Sequence, residues 1–323
     1  VTVIGAGGWG TTLANLICEN RHDVKIWALE ESTVDNINNL HENKQFLSGV
    51  KLDENLKATG SFKEALQDPE IVIIAVPSAY IRQTVEKFSS LVKEGTIVIN
   101  VAKGFELSTF KTMSQVIEEQ IPQAHVIALS GPNHAEEIAR KIKSATSIAG
   151  SDKEALKFVK KTLENDYFKL YPVKDKISVC VGGSMKNITA IATGICYGLK
   201  LGDNSISAII TLGLSEMITV GKELGGKLSA FTGLAGVGDL IATCMSKHSR
   251  NRFYGEELGK GKSLEQIKEE MHGMVAEGVF ATEAVYKFAK EKGLELPLTE
   301  QVYKILYENK PIDKAVNDLL DVF

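Results

Sequence analysis

Residues 1–4, Val-Thr-Val-Ile, run straight into Gly5-Ala6-Gly7-Gly8-Trp9-Gly10 and then into a helical pattern over residues 11–20. A β-branched strand followed by GxGxxG and a helix is the opening of a βαβ unit, which commits the chain to a parallel sheet. Gly5 permits the tight turn, Gly7 lets the main chain approach a pyrophosphate, and Gly10 allows the helix to pack close on the strand. Gly8 and Trp9 complete the turn. The helix N-terminus beyond it offers free N–H groups and partial positive charge to phosphates. The spacing predicts dinucleotide binding, although a glycine turn without a ligand has the same spelling.

A second strand, residues 24–28, leads to Glu30, which stands where an acidic group can bind ribose hydroxyls; capping the next helix is the competing role. No arginine follows at once to take a 2′-phosphate, which weighs for NAD over NADP. The continuous apolar run 71–76 reads as a strand buried on both faces of a parallel sheet, as do 96–101 and 125–129. Residues 145–149 and 167–171 read as strands too. Ligands of such sheets bind at the carboxyl ends of strands. That places Lys103 and the turn 130–133 beside a bound cofactor, with a plain loop charge as the alternative for Lys103. His134 shows no obvious nucleophile or metal partner in the sequence and reads as structural.

After Lys176 the strand patterns stop, dividing the chain into 1–176 and a helical 177–323. Ile177, Val181, Met185, Ile188, Ile191 and Ile195 form one helical stripe. Gly183, Asn187, Ala190 and Gly194 form a row small enough for a substrate or another backbone to approach. Lys186, at the edge of that row, is a candidate acid/base because burial lowers a lysine pKa, unless it snorkels to water. Asp203 or Asn204 would cap a helix over 205–224. Asp239, among four glycines, suits a buried cation such as Lys186 or the N-cap of residues 240–244. Ser249-Arg250-Asn251-Arg252 opens a further helix as either a phosphate site or a solvated helix start. Amphipathic helices fill the tail from Val279.

At 323 residues, two domains are expected. A net charge of −4 without a basic block argues against a nucleic-acid surface. No apolar run approaches the roughly 18 residues of a membrane helix. Cys18, Cys180, Cys196 and Cys244 make no CxxC pair and read as reduced core residues of a cytoplasmic protein. The six histidines lack metal-ligand spacing, so no metal is expected. The N-terminus lacks a secretory pattern, and its start without methionine suggests that a residue or more precedes Val1.

Ten strings in order, GAGGWG, AVPS, AKGFE, LSGPNHAEEIA, GGSMKN, GDN, GLAGVGDL, SRNR, VAEGV and LPLTEQVY, give the chain a resemblance, nearly end to end, to bacterial NAD(P)-dependent glycerol-3-phosphate dehydrogenases. The resemblance implies an α/β fold, with an N-terminal Rossmann-type, mostly parallel sheet and a C-terminal all-helical domain. It also implies interconversion of sn-glycerol 3-phosphate and dihydroxyacetone phosphate for phospholipid synthesis, and a homodimer. By position, Lys186 matches the proton acceptor, and Lys103 a residue touching cofactor and substrate. Gly131, Asn133, Asp239, Ser249, Arg250 and Asn251 match substrate positions. Ala135, Arg250, Val275 and Glu277 match cofactor contacts, although Ala135 also falls on the substrate-contacting turn. Asn133 replaces the usual threonine or serine, and Leu29 an arginine common in bacterial members. A related 3-hydroxyacid dehydrogenase and a non-catalytic dinucleotide sensor are the alternatives.

Overall fold

The computed structural model describes residues 1–271 and 276–320. They form two compact units, one of residues Val1–Ala102 and Met113–Lys176, the other of Lys103–Thr112 and Ile177–Phe323. The boundary near 176 coincides with the end of the strand patterns. The excursion Lys103–Thr112 lies within the span read above as sheet domain but packs with the helices.

Among the described residues the first unit holds an eight-stranded sheet: β1 (Thr2–Ile4), β2 (Lys25–Trp27), β3 (Lys57–Thr59), β4 (Ile71–Ile74), β5 (Ile97–Asn100), β6 (His125–Ser130), β7 (Ser144–Ala149) and β8 (Phe168–Val173). Their spatial order is β3-β2-β1-β4-β5-β6-β7-β8, and every pairing is parallel except β6 with β7. The period of two sorts the apolar runs onto two faces: Ile71, Ile73, Ile97 and Ile99 enter one core, and Val72, Ile74 and Val98 the other. Several strands stop short of their apolar runs; β4 ends at Ile74 ahead of Pro77, which cannot extend a ladder. The sequence reading missed β3, because Lys-Ala-Thr has little intrinsic strand preference and pairs only as an edge on β2.

The second unit is helical. In the helix Lys176–Gly198 every residue from 178 to 196 is buried. The expected apolar stripe holds, with Ile177 partly exposed. Part of the small-residue row meets another helix: a Cβ on Gly194 would sit 2.1 Å from the Arg252 carbonyl oxygen, and one on Gly255 1.9 Å from that of Ile191. Contact this close admits the helix Arg250–Gly259 against Lys176–Gly198 only while both positions lack side chains. By length and composition alone Lys176–Gly198 and Asp203–Glu223 are apolar enough to cross a membrane, but the apolar stretch of the first is buried within the protein, as in the core helix of a folded domain. Two capping expectations also fail. Gly202 caps Asp203–Glu223, so Asp203 and Asn204 lie inside it, and Asp239 is the first residue of Asp239–Met245.

Glu216 crosses from Asp203–Glu223 to cap a helix that lacks a side-chain cap of its own, Pro297–Tyr307. Its carboxylate accepts from the Leu298 N–H (2.5 Å), the Thr299 N–H (3.1 Å) and the Thr299 hydroxyl (2.6 Å). Burial raises this carboxyl to about 7 despite those bonds. An acid with a raised native pKa favours the fold at low pH, and that contribution is lost between 4.5, its ordinary value, and about 7. Thermal melts of Glu216→Gln and wild type should therefore show the wild type losing ground from pH 5 to pH 8, by on the order of 2–3 kcal/mol. A gap independent of pH would reject this account of Glu216.

Candidate active site

In the first unit the glycine turn is built as its spacing requires. Gly5 has φ +110°, and a Cβ there would meet the Ala75 carbonyl at 2.9 Å. A Cβ on Gly10 would lie 2.0 Å from the Gly5 oxygen, whereas one on Gly7 would meet nothing within 4 Å. Gly7 thus faces open space at the N-terminus of the helix Gly8–Glu19, which has no side-chain cap. The uncapped amides and the open face fit a pyrophosphate. Gly8 backs onto the Phe46 carbonyl. The Trp9 ring turns into the core, edge-on to Phe168 at 6.2 Å, so its contribution to the turn is main-chain.

Asn43, which the sequence reading did not single out, braces the turn. Buried at 1% exposure, it donates to the Ala6 carbonyl and the Thr11 hydroxyl, each at 2.8 Å. Glu30 is exposed just beyond β2 and makes no side-chain cap, so its carboxylate is left to solvent or a ligand. Ala135 accepts a hydrogen bond from Thr12 of the glycine-turn helix at 3.4 Å. Gly131 presses on Thr146, whose hydroxyl also meets the Asn133 amide at 3.5 Å.

In the second unit Lys186, Lys103 and Asp239 come together. Lys186 donates to Asp239 Oδ1 at 2.5 Å and to the Thr243 hydroxyl at 2.7 Å. Lys103 donates to the other carboxylate oxygen, Oδ2, at 2.9 Å. Thr243 in turn donates to the Asp239 carbonyl at 2.6 Å, one turn back on the same helix. The Lys186 side chain is 7% exposed and that of Asp239 2%, so Lys186 does not snorkel. Burial drives the Lys186 ammonium down to about 7; Asp239 opposes this and Lys103 reinforces it. Burial would raise the Asp239 carboxyl, but Lys103 and then Lys186 hold it below its ordinary value. One ionised carboxylate is therefore shared by two ammoniums, and the more buried of them is poised to gain or lose a proton near neutrality.

The SRNR run separates by helical phase. Ser249 is the N-cap, its hydroxyl accepting from the Arg252 N–H. Arg250 is exposed at the first position of the helix. Asn251 is buried, donating to the Asn187 side-chain oxygen and accepting from the Gly278 N–H. Arg252 is structural, its guanidinium 3.9 Å over the Tyr197 ring and bonded to the Met245 carbonyl. Glu277 begins the helix Glu277–Lys292, and Val275 lies outside the described residues. Thr243 escaped the sequence reading, although its place four residues after Asp239 puts it on the same helix face.

Two family models match, the NAD-dependent glycerol-3-phosphate dehydrogenase N-terminus over residues 1–156 and its C-terminus over 175–317. A protein of Chlorobium limicola named glycerol-3-phosphate dehydrogenase (NAD(P)+) is 42% identical, with 99% of this chain and 97% of that protein covered. A Bacillus pumilus protein of the same name is also 42% identical, over 99% and 93%. The solved glycerol-3-phosphate dehydrogenase of Coxiella burnetii superposes with a TM-score of 0.95 at 35% identity, covering 99% of this chain and 98% of its own.

Proposed function

Because this chain belongs to the NAD-dependent glycerol-3-phosphate dehydrogenase family, we propose that it interconverts sn-glycerol 3-phosphate and dihydroxyacetone phosphate with NAD or NADP, Lys186 serving as the acid/base. The observation that carries the role of Lys186 is its burial between Asp239 and Thr243 with Lys103 on the opposite carboxylate oxygen. A bound NAD or NADP, held at the turn Gly5–Gly10, would supply hydride transfer to and from C2 of the substrate.

In oxidation, neutral Lys186 takes the proton of the C2 hydroxyl. In reduction, its ammonium stabilises the oxygen as charge develops and then protonates it. Asp239 orients both ammoniums. In this reading Arg250, exposed at a helix N-terminus, grips the phosphate, so binding energy from the unreactive end positions the reacting carbon. Gly131, Asn133, Ser249 and Asn251 complete the substrate surroundings in this reading, Asn251 chiefly by tying Asn187 to Gly278. The turn Gly5–Gly10, Ala135, Val275 and Glu277 serve the cofactor, and Glu30 favours the paired ribose hydroxyls of NAD over a 2′-phosphate. A cytoplasmic homodimer supplying phospholipid synthesis completes the proposal, and four buried free thiols suit a reducing compartment.

Dihydroxyacetone phosphate reduction followed with NADH and NADPH side by side tests the assignment; no turnover with either overturns it. In the same assay Arg250→Ala should raise KM for dihydroxyacetone phosphate by about 10- to 100-fold, the loss of a charge-assisted bond. An unchanged KM would remove Arg250 from the phosphate.

A further inference from the structure

Residues Lys103–Thr112 pack with the helical unit, and aromatic rings fasten them there. Phe105 and Phe110 stack with centroids 4.3 Å apart and planes within 12°. Phe110 stacks in turn on Phe288 of the helix Glu277–Lys292 at 3.8 Å and 8°. The hairpin is closed by the Glu106 N–H to the Lys111 carbonyl, the Phe110 N–H to the Glu106 carbonyl, and a bridge between Phe105 and Thr112. Phe110 is held at φ +55°. A bulky residue stays in that left-handed region only where its surroundings over-determine it. Here the surroundings are the rings on either face. Lys103 lies two residues from Phe105 across Gly104, so the seating of the stack sets the reach of the Lys103 ammonium to Asp239 Oδ2, 2.9 Å away.

We propose that Phe110 is a positioning residue: clamped between Phe105 and Phe288, it locks the 103–112 hairpin in the one seating that holds Lys103 against Asp239. The proposal rests on the reading of Lys186 as the acid/base. It has a consequence that a purely structural role would not produce. The groups facing Lys186 are the Asp239 carboxylate, the Lys103 ammonium, the Thr243 hydroxyl and the Cys244 thiol. Of these only Lys103 moves with the hairpin, and its charge helps to hold the proton affinity of Lys186 down. Freeing the hairpin lets Asp239 serve Lys186 alone, and Lys186 then keeps its proton to higher pH.

The experiment is the pH profile of kcat/KM for glycerol 3-phosphate oxidation, with folding checked by circular dichroism. Phe110→Ala and Phe110→Leu should move the rising limb upward by about one pH unit, as should Lys103→Met. Phe110→Tyr, which keeps a flat ring, should restore the wild-type profile. The double variant Phe110→Ala/Lys103→Met should shift no further than Lys103→Met alone. A folded Phe110→Leu with an unmoved limb, beside a shifted Lys103→Met, would overturn the proposal while sparing the site reading. An unmoved limb in Lys103→Met would instead indict the site reading, and the proposal would fall with it. Should both Phe110 truncations fail to fold, Phe288→Leu opens the stack from its other side, and the same two results decide.

Discussion

Lys186→Met is expected to lower kcat in both directions by about 10³- to 10⁴-fold, the upper range for a single acid/base group. Methionine fills the channel of the lysine stem, and Asp239 retains Lys103 as counter-ion, so neither a cavity nor an unpaired charge is created. The loss should therefore appear in the chemical step, with NADH binding, read by its fluorescence, within a factor of about two of wild type. Wild-type oxidation should rise with pH through the region near 7 where Lys186 loses its proton. The residual rate of the variant should lack that limb. A variant that keeps a tenth or more of wild-type kcat would exclude Lys186 as the base.

Asp239→Asn should be damaging to fold and catalysis together. It leaves two ammoniums beside a neutral amide in a pocket where the wild-type carboxylate is 2% exposed. Breaking a buried pair from one side typically costs about 3–5 kcal/mol. The sign with pH is definite. Asp239 is the principal influence raising the Lys186 pKa, so its removal drives that pKa further below its ordinary value, while Lys103 still acts downward. While Asp239 of the wild type stays ionised, the deficit in stability should shrink as pH rises and Lys186 discharges. The oxidation limb should move to lower pH, opposite to the shift expected when Lys103 is released. Melting curves and rate profiles at four or five pH values would show both, and a limb moving upward would refute this electrostatic account.

What sequence could foresee here divides along the range of the interaction. The glycine turn was legible because a strand, a close crossing and a helix start lie within twenty residues, with Gly10 answering to Gly5 a few positions back and Gly5 to Ala75 beside the neighbouring strand. The runs that became β4 and β5 were legible because a strand covered on both faces is almost wholly apolar, β5 admitting a polar residue only at its end, Asn100. β3 was not, since Lys57, Ala58 and Thr59 owe their conformation to pairing with β2 and to the Asn38 side chain, which bonds both backbone groups of Ala58. Lys186 and Asp239 could be paired in advance from burial and charge. The geometry adds that Lys103 takes the second oxygen of the same carboxylate and that Thr243 seats Lys186, neither of which any local pattern records. In SRNR the spelling offered two arginines. Only the phase of the helix, fixed by where Gly255 meets Ile191, sends Arg250 outward and lays Arg252 over Tyr197.

The hairpin at Lys103–Thr112 also imposes an order on biosynthesis. It emerges from the ribosome some seventy residues ahead of the chain it must join, and its aromatic partner Phe288 follows later still. Until then Phe105 and Phe110 have no surface to settle on, and the nascent sheet is obliged to carry them bare. Severing the polypeptide at residue 176 would recreate that waiting state permanently, so the two fragments are not the natural building blocks that a single cut suggests.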